Sequence, residues 1–88
     1  MPLGGPKLRT KDGKMNLVGE RVRQRRRELG WTQDSFGGTL ARVTEGQWAP
    51  SRKEVGRIED GERIVCDTEV VSLASALQCS VVWLLTGT

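Results

Sequence analysis

The segment Ser51-Arg52-Lys53-Glu54-Val55-Gly56-Arg57-Ile58-Glu59-Asp60-Gly61 decides the fold. It reads as a short helix with both ends marked. Ser51 and Glu54 have the spacing of a capping box, in which each side chain satisfies a backbone N–H the first turn leaves free. Gly61 supplies the left-handed residue that commonly closes a helix. On a helical wheel Val55, Ile58 and Glu59 share one face, and Lys53, Gly56, Arg57 and Asp60 share the opposite one. Arg52 lies on the flank at the N-terminal turn. The helix therefore buries two aliphatics and a carboxylate, and turns cations and a glycine outward.

A buried carboxylate needs a cation, and the preceding sequence offers one. Leu17 to Leu29 has helical period, with Val18, Val22, Arg26 and Leu29 on a single stripe. An unpaired charge on a core-facing line costs several kcal/mol, on the order of 3–5. We therefore expect an Arg26–Glu59 ion pair joining the two helices. The neighbouring Arg21, Arg23, Arg25 and Arg27 read as solvated, and Gly30 stops the helix. Thr32 opens a second helix as its N-cap, with Phe36, Leu40 and Val43 as its apolar side. Gly37 and Gly38 weaken it by about 1 kcal/mol each relative to alanine, and Gly37 suggests close packing against the next helix. Residues 44–50 (TEGQWAP) form a loop in which Trp48 either lids the core or projects as a contact, the lid being the expected role.

After Gly61, Asp67 is expected to cap a fourth helix carrying Val70, Leu73, Ala74 and Leu77. Ser80 caps a short fifth helix, VVWLL, ending at Gly87. That helix is apolar all round, more than one buried face uses. A subunit interface through Val82, Trp83 and Leu85 follows, with a two-sided core position for Trp83 as the alternative.

Eighty-eight residues suit one small all-α domain, with residues 15–88 as the folded unit. Residues 1–14 read as a disordered leader or an appended remnant, Met15 being an equally good start. The net charge of +3 is uneven. Residues 1–60 hold 13 cations and 8 acids, while residues 61–88 hold 1 and 3, so the first part suits a polyanion. No apolar run is long enough for a membrane span, and no signal peptide is legible. Cys66 and Cys79 lack redox or zinc spacing and no histidine completes a metal site. Two buried reduced thiols in a cytoplasmic protein are expected. No catalytic constellation and no cofactor motif is present in the sequence, which argues against an enzyme.

The outward face of the 51–60 helix is unusual for one that only has to be soluble. Its first turn begins Arg-Lys, against the helix dipole. One reading is a solvated basic face. The sharper one is a helix whose N-terminal residues enter a DNA major groove, where Arg and Lys pair with guanine O6 and N7.

Three segments carry a wider likeness: ERVRQRRRELGWTQ (20–33), VGRIEDGER (55–63) and VSLASALQCSVVWLLTG (71–87). In this order the chain resembles the Cro/phage-repressor (XRE-type) helix-turn-helix family over nearly all of residues 17–87. The resemblance implies a compact five-helix domain, with Thr32 and Gln33 on the DNA backbone and Arg52, Lys53 and Arg57 reading bases. Ser51, Gly56 and Arg63 complete the expected DNA-binding set. It also implies the Arg26–Glu59 pair. One departure is visible: Gln33 and Glu59 lie 26 residues apart, roughly eight more than a helix-turn-helix with a three- or four-residue turn requires. These must lengthen the second helix or the 44–50 loop. The expected function is a sequence-specific double-stranded DNA-binding transcriptional regulator, a repressor acting as a homodimer. The alternative is an antitoxin-like subunit whose protein partner covers the fifth helix.

Overall fold

The computed structural model of the protein describes residues 8–88. Five helices follow in order: α1 (Gly19–Glu28), α2 (Gln33–Val43), α3 (Arg52–Glu59), α4 (Asp67–Leu77) and α5 (Val81–Thr86). No strand occurs among the described residues. α1 and α2 both pack on α3 and α4, and α5 packs on α4. The core between them is aliphatic apart from Phe36, and includes Val22, Leu40, Val55, Ile58, Leu73, Leu77 and Leu84.

Local chemistry sets most boundaries. Thr32, Ser51 and Ser80 each accept a hydrogen bond from the N–H three residues on, which starts α2, α3 and α5. Gly30, Gly61 and Gly87 take positive φ at the ends of α1, α3 and α5. α1 starts two residues later than the expected start at Leu17. Asn16 accepts from the N–H groups of Val18 and Gly19, and Leu17 points to solvent. At α4 the cap is Cys66 rather than Asp67, because Glu69 reaches back to accept the Cys66 N–H at 3.1 Å. Cys66 is consequently exposed, not buried; both thiols are free. Cys79 is half-buried, and burial pushes its thiol up, against a smaller opposite effect of Arg25.

The additional residues before α3 are shared between an α2 of 11 residues and a connection over 44–51. Glu45 and Gly46 turn the chain with positive φ, and Thr44 Oγ1 then ties down Trp48 through its N–H at 3.0 Å. Trp48 packs half-buried against the core, as a lid. Gly37 does face a close neighbour, but it is the Pro50 carbonyl and not a helix: a Cβ there would lie 2.5 Å from that oxygen. Val43, expected on the apolar side of α2, is exposed near the helix end.

Residues 1–7 lie outside the described residues, so the expected leader can be followed only over 8–14. There Thr10 to Lys14 close a turn, Lys14 Nζ donates to the Asp60 carbonyl, and Met15 N–H to that of Gly61.

Candidate nucleic-acid interface

α3 has two faces of opposite character. Its inner face is fixed by Val55 and Ile58 in the core and by Glu59, which is buried with Arg26. Arg26 Nε meets Glu59 Oε2 at 2.6 Å, and Nη2 meets Oε1 at 3.1 Å. This fork is charge-assisted and bidentate, the strong form of such a contact. The remaining Arg26 Nη1 donates to the Trp31 carbonyl at 2.8 Å. Glu59 Oε1 also accepts from Arg23 Nε at 3.3 Å and Gln33 Nε2 at 3.2 Å. No buried side-chain polar atom among the described residues is left without a partner, the condition under which a buried pair is tolerated. Arg23 also pairs with Asp60. Asp60 first, then Glu59, raise its guanidinium above the usual range, against desolvation.

The outer face carries Ser51, Arg52, Lys53 and Arg57, all exposed, with Gly56 half-buried between them. Among the described residues the Arg52 and Lys53 side chains find no hydrogen-bond or ion-pair partner. Arg57 makes only a 3.4 Å approach to the Glu62 carbonyl. Thr32, the α2 cap, is exposed, and Gln33 follows it with its amide lying over α3. The first turn of α2 thus lies over the middle and last turn of α3, where the Gln33 amide donates to Glu59 beside Gly56.

Arg63 is placed differently from the others. It forms a fork on Glu69 at 3.2 and 2.9 Å and stacks over the Trp48 ring at 5.9 Å. The Glu69 hydrogen bonds raise the guanidinium, against desolvation. Burial alone would raise the Glu69 carboxyl, but Arg63 and the Cys66 N–H more than offset it and hold it below the usual value of 4.5. Arg63 is a brace between the 44–51 connection and α4, and its fork is not free for a phosphate.

The arginines read as solvated have structural partners instead. Arg21 Nε donates to the Leu84 carbonyl at 2.9 Å and Nη2 to that of Leu85 at 3.0 Å. Arg25 Nε donates to Leu77 at 2.8 Å. One helix thereby ties the C-terminal carbonyls of α4 and α5, where cations are favoured. Arg27 is the exposed one of the four, and its side chain has no such bond among the described residues.

At the other end, α5 sends Leu84 into the core and leaves Val82 61% exposed, with Trp83 and Leu85 half-buried. It is therefore not equally open on all sides. Beside it a groove of about 340 Å³ is lined chiefly by Val65, Val70, Val71, Val81 and Leu85. Among the described residues no group of acidic or thiol side chains is arranged to hold a metal, and no helix is long and apolar enough to cross a membrane.

No protein-family model and no curated protein matches the chain. Five solved chains do, and two illustrate the likeness. One is the P22 c2 repressor protein in complex with a synthetic operator, at 30% identity and a TM-score of 0.66, over 83% of this chain and 98% of that one. The other is the DNA-binding domain of BldD, at 22% identity and a TM-score of 0.62, over 86% of this chain and 99% of that one; it supports the fold alone. With the arginine–glutamate lock, the exposed basic turn of α3 and 30% identity to the P22 c2 repressor over 98% of that chain, this chain belongs to the phage-repressor helix-turn-helix family.

Proposed function

We propose that the protein is a sequence-specific double-stranded DNA-binding transcriptional regulator, a cytoplasmic repressor without enzymatic activity that acts as a homodimer. The observation that carries this reading is the contrast within α3. One face is locked into the core through Glu59, while in the first turn Arg52 and Lys53 are exposed and have no side-chain partner among the described residues. Cations at a helix N-terminus oppose its dipole, and DNA supplies the missing anions and base acceptors. Arg52, Lys53 and Arg57 read bases in the major groove, and Thr32, Gln33 and Ser51 set the helix against phosphates. Val82, with the half-buried Trp83 and Leu85, forms the contact between two copies.

Selection of bound sequences from a random duplex pool tests the reading. A two-fold-related site should emerge, and its affinity should fall steeply with salt. Recovery of no preferred sequence would overturn it. The exposed valines of α4 and α5 also suit a different protein partner, as in an antitoxin-like subunit; isolation as a stable complex with a second protein would favour that reading.

A further inference from the structure

Glycine inside a helix weakens it relative to alanine, so each helical glycine calls for a reason. Two have one within the protein. A Cβ on Gly19 would lie 2.7 Å from the Glu59 carbonyl oxygen, and one on Gly37 would lie 2.5 Å from that of Pro50. Gly56 has none. Its φ is not among the positive ones. A Cβ on it would meet only the Gln33 amide nitrogen, at 3.6 Å, an ordinary contact with the tip of a flexible side chain. The fold would accept a side chain here, in the middle of an eight-residue helix where alanine is favoured.

The location of Gly56 supplies a reason outside the protein. Arg52 and Lys53 lie one turn before it on the same side of α3, and Arg57 is adjacent. All three are exposed. Gly56 therefore presents bare backbone between exposed cations, with the Gln33 amide as the near neighbour of its missing Cβ. Bare backbone at such a point permits the close approach of another molecule.

We propose that Gly56 is a specificity-determining position: its missing side chain lets α3 sit deep enough in the major groove for a base edge to approach the bare backbone between Arg52, Lys53 and Arg57. This rests on the DNA-binding reading above and adds to it the feature that sets the depth of docking. A methyl group at position 56 would hold the helix away from the base edges and lengthen the short, directional contacts that discriminate sequence. Phosphate contacts at the edge of the interface, being less directional, would tolerate the displacement.

Gly56→Ala tests this, with Gly38→Ala as control. Gly38 is also helical, is exposed, and has nothing within 4 Å of its would-be Cβ, so both changes should raise the unfolding temperature, by about 4–8 °C for a domain of this size. On a duplex selected with the wild-type protein, Gly56→Ala should lose at least about tenfold in affinity, roughly the value of one good base contact. On a random duplex it should bind as the wild type does, and Gly38→Ala should match the wild type on both. Gly56→Gln should lose more than Gly56→Ala. Wild-type affinity of Gly56→Ala for the selected duplex would overturn the proposal, and so would an equal loss on both duplexes. Failure of the DNA-binding reading would show separately, as absence of any selected sequence for the wild-type protein.

Discussion

At the scale of single residues, Glu59 carries the most. Its carboxylate joins Arg26, Arg23 and Gln33, from two helices, to the inner face of a third. Glu59→Gln should cost on the order of 3–5 kcal/mol, since it leaves the Arg26 charge buried and uncompensated. Arg26→Met combined with Glu59→Leu should recover much of that loss, though not all, because the Trp31 carbonyl loses its donor. Urea unfolding of both single variants and the double decides this, and additive effects would show the two residues to be independent. Glu69 makes a subtler contribution. Its folded carboxyl lies below the ordinary 4.5, so the folded state takes up that proton less readily than the unfolded chain. The stabilisation is complete above pH 4.5 and is lost as pH falls through the folded value. Glu69→Gln should therefore flatten the dependence of stability on pH below 4.5; an unchanged acid profile would mean that Arg63 does not hold the carboxylate.

At the scale of elements, α1 and α3 meet where Gly19 lets the carbonyls of Ile58 and Glu59 approach. Gly19→Ala should force these helices apart and destabilise by roughly 1–3 kcal/mol, as overpacking does, although alanine is the better helix former. A more stable variant in thermal unfolding would show that the approach is not tight. Much of this level was legible in the chain beforehand. The caps at Thr32, Ser51 and Ser80 and the glycines after α1, α3 and α5 act within one turn, so local residue order reveals them. The Arg26–Glu59 contact was legible too, because each charge interrupts an apolar stripe and so requires the other. The carbonyl partners of Arg21 and Arg25 were not. A backbone oxygen is common to every residue and leaves no trace in the order of side chains. The position of Arg63 was hidden for a related reason. Its partners Trp48 and Glu69 come from a lengthened connection and from the cap of α4, and neither has a fixed spacing from it. Which side of α5 is covered also depended on how that helix lies on α4.

At the scale of the whole molecule, cations and apolar surface are separated. The outward turn of α3 carries the first, while Val71, Val82 and the groove between α4 and α5 carry the second. If α5 joins two copies, Val82→Glu should give monomers with unchanged helix content and weak binding to a full two-fold site, because Val82 is the most exposed of the three interface residues while Trp83 also packs on the core. Sedimentation of the variant as a dimer, with or without operator, would rule that interface out. The ties made by α1 bear also on how the chain is made. Arg21 closes on Leu84 and Leu85 across 63 and 64 positions, and Arg25 on Leu77 across 52. Such distant closures slow folding, and here they cannot form until residues 77–85 have left the ribosome. A nascent chain arrested before that point would hold α1, α2 and α3, yet its first helix would lack two of its anchors. Closure of α1 onto the ends of α4 and α5 therefore waits on the emergence of residues 77–85.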